Sequence, residues 1–141
     1  MTDSPRITVR KLQRAIRVNV SALSGVIGAV LAIQPKKTTT LRQLEEVSVL
    51  LISDRRMTAL HRQFLHQDGP TDVITFDHGE IFISVETARK NARRFGNSLI
   101  RELQLCLIHG LLHLHDFDDR TPAEARRMRQ TQEKILARMA R

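Results

Sequence analysis

The chain has no tryptophan and no tyrosine, and its 141 residues include one cysteine, Cys106. A lone cysteine excludes an internal disulfide framework and a thiolate-built zinc site, and no disulfide-linked partner is expected. No apolar run approaches the ~20 residues of a membrane span. The opening "MTDSPRITVRK" lacks the apolar segment of a secretory leader. The longest candidate, "VIGAVLAI", is too short and comes too late. The expectation is a cytoplasmic protein with no membrane partner. Phenylalanine, five residues in all, supplies every aromatic ring other than histidine, so base stacking on an aromatic platform is not expected to dominate any nucleic-acid contact.

Acid is also scarce. Residues 1–42 hold eight Lys/Arg against one acid, Asp3, and the whole chain carries a formal charge of +8. Two further basic clusters follow, "TARKNARRFG" and "EARRMRQ". Each alone reads as a solvated helix face; together they favour a polyanion, RNA being the commonest. Arg89, Lys90 and Arg93 are candidate contacts to an RNA backbone, with surface solvation as the equal alternative. Phosphate contacts would carry most of the affinity, which should then fall steeply with salt.

What is present reads as one domain over residues 1–141, of the α+β class: a small mixed sheet packed with helices. "ITV" looks like a short strand. Ser21 is the expected cap of a helix over about Ala22–Ile33, and "QPKKTTT" is the best loop, since Pro35 and the threonine run discourage helix. "VSVLLIS" reads as a buried strand, and Asp54 as the cap of a helix reaching about Leu65. "DVITF" and "EIFIS" form a hairpin with Gly79 in its turn. A basic helix spans about Val85–Phe95; Gly96 ends it and Ser98 caps the next. "LIRELQLCLIHGLLHLH" is apolar nearly all round, the mark of a central buried helix. Thr121–Pro122 opens a final amphipathic helix.

The chemistry concentrates in "HGLLHLHDFDD", residues 109–119. On a helix, His109 and His113 project from one face one turn apart, a spacing that suits two imidazoles on one tetrahedral metal. Gly110 stands where the HExxH motif places its glutamate, so the general base of a zinc peptidase is missing. Mid-helix glycine costs about 1 kcal/mol relative to alanine; close approach of another backbone or a substrate would explain it, a loose packing site being the plainer reading. Two ligands leave the site incomplete, and Asp116, Asp118 and Asp119 are all candidates for the third. His115 points elsewhere and is expected to be exposed or satisfied locally. Asp72 either orients a ligand imidazole or binds a backbone amide, the structural role being favoured. Glu102, about 10 Å up the helix, is too far to share a metal and fits a helix-start charge. Cys106 reads as a small core residue.

"HGLLHLHDFDD" resembles the signature H-G-x-L-H-L-x-G-[YF]-D-H of the YbeY family, zinc-dependent, single-strand-specific endoribonucleases of ribosomal RNA maturation. "PTDVITF" is similar to that family's P-T-D-V-L-S-F, "GEIFIS" to its G-D-I-x-I-S, and "RELQLCLIHG" to its approach to the histidine helix. Order and spacing agree from about Val47 onward. The resemblance implies a four-stranded mixed sheet with the site in a cleft at the end of the central helix. It implies one Zn2+ per chain, or Mn2+, held by His109, His113 and Asp119, which are also the catalytic set. It implies single-stranded RNA and the small ribosomal subunit as partners, in processing of the 3′ end of the small-subunit rRNA and in ribosome quality control. The chain departs from the pattern at three places. Asp119 stands for the third histidine; two histidines and a carboxylate still make a catalytic zinc set. Asp116 stands for a glycine that ends the helix left-handed. Leu65 stands for an arginine, and Arg62, one turn earlier, is the candidate substitute in RNA binding. These departures feed a rival reading, an RNA- or ribosome-binding factor of the same fold with a weakened site. A peptidase is third.

Overall fold

The structure, a computed structural model, describes residues 4–33 and 38–139. Strand β1 spans Arg6–Lys11 and is followed by three short helices, α1 (Val20–Ser24), α2 (Val26–Leu31) and α3 (Thr40–Gln43). Then come β2 (Glu46–Ile52), α4 (Asp54–Leu65), β3 (Val73–Phe76), β4 (Glu80–Ser84), α5 (Val85–Phe95), α6 (Leu99–Leu114) and α7 (Pro122–Met139). The sheet order is β1-β2-β4-β3. β1, β2 and β4 run parallel and β3 is the antiparallel edge, paired Val73 to Ile83 and Phe76 to Glu80. The class is α+β with a four-stranded mixed sheet, as the sequence reads.

The near-continuous apolar run of β2 suits a strand covered on both faces. Its side chains alternate between two cores, as a period of two requires. Val47, Val49 and Leu51 enter the larger core with Ile81, Ile83 and the buried face of α6. Leu50 and Ile52 enter a smaller one with Met57 of α4 and Ile74. Nine of the sixteen residues of α6 are buried, so this helix is the centre of the larger core, which anchors its last turn.

The hairpin turn needs its glycine: Gly79 has φ 109°, and a Cβ there would sit 2.7 Å from the carbonyl oxygen of Glu46. Three sequence expectations shift. The helix after β1 starts at Val20, with Asn19 rather than Ser21 capping it through a 3.1 Å bond from the Ala22 amide, and the chain breaks into two short helices at Gly25. The threonine run does not stay loop: Thr39 caps α3, its hydroxyl accepting from the Arg42 amide. Pro35 itself lies outside the described residues. At α4 the cap is Ser53, whose hydroxyl faces the Arg56 amide. Asp54 is freed to reach across, where it accepts from Ser84, Thr87 and Lys90 at the start of α5, while Glu86 accepts from the Asp54 amide. The starts of α4 and α5 therefore cap each other, which closes the end of the sheet where β2 and β4 finish.

Candidate metal centre

Helix α6 carries His109 and His113 one turn apart, with ring centroids 4.7 Å from each other and planes at 77°. Both are partly exposed at the β3 edge of the sheet. The helix sits this close because residue 110 has no side chain: a Cβ on Gly110 would lie 2.9 Å from Cγ2 of Ile81 and 3.0 Å from Oγ1 of Thr75. The glycine is thus explained by tight packing on the sheet. Neither a loose site nor the approach of a substrate to the ligand face accounts for it.

The return of the chain is built from the end of α6. Asp116 takes the left-handed conformation, φ 66°. Its amide donates to the His113 carbonyl at 3.1 Å, and the Phe117 amide donates to that of Leu112 at 2.9 Å. This is a Schellman turn with aspartate in the position that usually holds glycine. Asp116 offsets the strain by accepting from the Thr40 hydroxyl at 3.0 Å. Phe117 packs on the larger core, and the Arg127 guanidinium lies 4.7 Å over its ring. Two residues later, Asp119 faces both imidazoles, with Oδ2 3.8 Å from His109 Nε2 and 3.7 Å from His113 Nε2. Asp118 turns aside, accepting from the Asp119 amide and pairing with Arg120 at 3.5 Å. Of the three aspartates left open by spacing, only Asp119 joins the histidines in a cluster, its oxygen and their nitrogens all within 4.8 Å.

These residues fit a metal ion. Zinc held at 2.0–2.1 Å by four tetrahedral donors sets those donors about 3.3–3.4 Å apart; the Asp119 oxygen, 3.8 and 3.7 Å from the two imidazole nitrogens, would need to close by a few tenths of an ångström to share such an ion with them. Gln132 of α7 accepts from Nδ1 of His109 at 2.8 Å. That bond fixes the tautomer and leaves Nε2 as the free lone pair, the usual support for a metal-ligating imidazole. Burial, then the neighbouring His109, push the pKa of His113 down against the pull of Asp119, Asp118 and Asp77. Neutral imidazole is the ligating form.

The other singled-out residues sort clearly. His115 is buried and is held from far along the chain, its ring nitrogens bonded to the Thr39 hydroxyl at 2.8 Å and the Ile33 carbonyl at 3.1 Å. The expectation that it would be exposed or satisfied locally is corrected: the α1–α3 segment folds over the end of α6 and supplies both partners. Glu102 is buried in the first turn of α6 and accepts from Asn97 at 2.7 Å. Cys106 is buried; burial, then the charges of Asp72 and Glu102, push its thiol well up, so it stays protonated. Asp72 gives its carbonyl to the Ser84 amide, and its carboxylate faces Cys106 at 3.8 Å. Leu65, Thr75, Phe76 and Asp77 line a groove of about 290 Å³ together with His109 and His113. Arg62 turns instead to Asp68, 3.6 Å away at the surface. Arg89 and Arg93 are exposed on α5, and Lys90 is tied to Asp54 at 3.3 Å. Sequence reasoning missed Gln132 and Thr39. Neither has a local signal, because each meets its histidine only through tertiary packing.

The family model described as Endoribonuclease YbeY matches residues 8–140. The chain belongs to the YbeY family. It is 38% identical over 103 residues to the Endoribonuclease YbeY of Bacteroides thetaiotaomicron, a match covering 68% of this chain and 75% of that protein. It is 35% identical over 127 residues to that of Parabacteroides distasonis, covering 85% of each. Among solved structures, a Thermotoga maritima protein determined in solution superposes with a TM-score of 0.61 at 26% identity, over 95% of this chain and 91% of that one. No helix among the described residues is long and apolar enough to cross a membrane.

Proposed function

We propose that the whole chain, residues 1–141, works as one metal-dependent endoribonuclease domain that cuts single-stranded RNA. Its place is the cytoplasm, in maturation of the small-subunit rRNA 3′ end and in ribosome quality control, with the small ribosomal subunit as partner. The observation that carries this reading is the convergence of Asp119 Oδ2 on His109 Nε2 and His113 Nε2, the two histidines lining an open groove. One zinc ion per chain, with manganese as the alternative, is the cofactor this donor set suits. An ion of this kind acidifies water and polarises a phosphate oxygen.

The side chains of the protein supply the rest. Gln132 holds the His109 ring in register, and the turn at Asp116–Phe117 presents Asp119. The carboxylate adds a negative charge where the family pattern has a neutral ring, which favours harder ions and slows chemistry at neutral pH. Arg89 and Arg93, exposed on α5, with Lys90 and Arg62 beside their acids, give phosphate contacts outside the groove. A peptidase finds no support: the position of its glutamate is Gly110, and the space beside it is filled by Ile81 and Thr75.

A short single-stranded RNA, incubated with the purified protein and zinc or manganese, tests the reading. Cleavage that disappears in His113→Ala is expected. Absence of cleavage with either metal, with RNA binding intact in both proteins, would leave a binding factor in place of the enzyme.

A further inference from the structure

The groove has a wall that a metal ion does not use. Among the described residues the exposed large apolar side chains are Phe64, 51% exposed, Leu65, 48%, and Phe95, 63%. Two of the three are adjacent at the end of α4, and Leu65 lines the groove that holds His109 and His113. The helix stops at once beyond them, because His66 turns left-handed at φ 54°; Leu65 faces the groove and Phe64 adjoins it through Phe76. Behind them the edge of the sheet is aromatic. Phe64 packs on Phe76 with centroids 5.3 Å apart, and Phe76, itself a lining residue, packs on Phe82 and His78 at 5.8 and 5.7 Å. Three of the chain's five phenylalanines stand here. The inward face of α4 is already anchored by Met57 and Leu60, so folding gives no reason to leave Phe64 and Leu65 in water. A contiguous exposed apolar patch beside a polar site marks a place for a ligand.

We propose that this wall is a base subsite: Leu65 and Phe76, extended by Phe64, receive the face of one unpaired nucleobase next to the phosphate that faces His109 and His113. The inference rests on the endoribonuclease reading and adds to it the part of the substrate that this wall recognises. A nucleobase is a flat, largely apolar ring system with polar edges, and a groove of about 290 Å³ is at the small end of ligand pockets, room for one such ring. Thr75 and Asp77 stand at its rim to meet the polar edge. The lining agrees: it holds no Lys or Arg, so apolar contact holds the strand inside the groove and phosphate contacts lie outside it. A base inside a duplex is covered on both faces and cannot enter, so the wall itself selects unpaired RNA.

The test measures binding of short single-stranded RNAs in the presence of chelator, where no cleavage occurs, with a single abasic residue moved along the strand. For the wild-type chain, one abasic position weakens binding by about tenfold, the scale of removing one stacked base. In a double variant, Phe64→Ser with Leu65→Ser, that position costs less than about twofold. The dependence on salt is unchanged, because no charge is touched. Leu65→Ile keeps the penalty. Both serines replace exposed side chains, and circular dichroism checks that the fold is kept. The inference is overturned if the wild-type chain shows no position-specific penalty or binds no RNA, or if the double variant keeps the penalty. It is also overturned if sedimentation shows that the double variant loses self-association while RNA binding is unaltered, which would assign the face to a second copy of the chain. Cleavage with zinc or manganese is scored separately. A chain that discriminates the abasic position yet cuts nothing refutes the enzyme and leaves the subsite; a chain that cuts without discriminating refutes the subsite alone.

Discussion

Gln132 accepts a hydrogen bond from His109 across the gap between α7 and α6, 2.8 Å from amide oxygen to Nδ1. The two residues are 23 positions apart, yet the amide decides which nitrogen of the imidazole is free. Gln132→Ala should weaken zinc binding about 10- to 100-fold, the range for loss of such a support, with the fold intact because Gln132 is only partly buried. A competition titration against a chromophoric chelator measures it. Unchanged affinity would make the bond incidental.

In the proposed metal set, Asp119 stands where the family pattern has a histidine, so this position tests the effect of donor type. Asp119→Ala should abolish stable metal retention, because two imidazoles remain. Asp119→His should raise the ratio of zinc to manganese bound after dialysis against both, since imidazole favours zinc and carboxylate the harder ion. Metal content by mass spectrometry reads both variants. Equal zinc affinity in wild type and Asp119→Ala would remove Asp119 from the ligand set.

Gly110→Ala sets two effects against each other. Helix propensity alone favours alanine by about 1 kcal/mol, while overpacking costs about 1–3 kcal/mol. The approaches of 2.9 and 3.1 Å are to both ends of Ile81, which is fully buried in the core, and that of 3.0 Å is to the partly buried Thr75; Ile81 has no room to yield, so overpacking should win and the variant lose about 1 kcal/mol in urea unfolding. Adding Ile81→Val should recover part of that loss. A stabilised Gly110→Ala would show that the helix lifts freely from the sheet.

Asp54 gives the pH prediction. Burial raises its pKa, but hydrogen bonds from Ser84, Thr87 and Lys90 outweigh it and hold the carboxyl below its ordinary value of 3.8. A carboxylate depressed in the folded state contributes stability above its unfolded pKa and loses it as pH falls through the folded value. Asp54→Asn should therefore be less stable than wild type at pH 7, and the gap should close as the solution is acidified below about pH 4. Urea midpoints across pH 2–7 test this; a gap that widens in acid contradicts it.

Salt dependence separates the basic residues of α5. Arg89 and Arg93 are exposed, whereas Lys90 is bound to Asp54. Replacing the two arginines with alanine should lower the slope of log affinity against log salt by about 0.7 for each phosphate of a single strand that is no longer neutralised. Lys90→Ala should chiefly lower stability, and only slightly, as a pair with one exposed partner does. Equal slopes in wild type and the double variant would place the RNA path elsewhere.

Local signals carried much of this structure. The bounds of α5, the cap at Ser98, the end at Gly96, the hairpin at Gly79 and all four strands follow from patterns a few residues long. Tandem polar residues blur such signals. Ser53 and Asp54 are both good caps, and only the start of α5 decides which one serves α4. Asn19 and Ser21 compete in the same way, and the break at Gly25 shows only once α1 and α2 pack separately on α6. Strand order is not local and was not legible. In the site, His109 and His113 follow from helical periodicity, and the left-handed turn at Asp116 from the family pattern. Choosing Asp119 over Asp118 needed that pattern too, since spacing alone left both open. The partners of His115 come from the first third of the chain, where no sequence pattern pointed to the site at all.

The Schellman turn at the end of α6 has one more meaning. Asp116 is fastened to Thr40 and Phe117 is pinned beneath Arg127, so contacts within the protein hold the arm that carries Asp119. On the proposed reading this sets the site apart from a domain that collapses around its metal: removing the ion should leave the arm in place, and one ion should exchange for another without unfolding the chain.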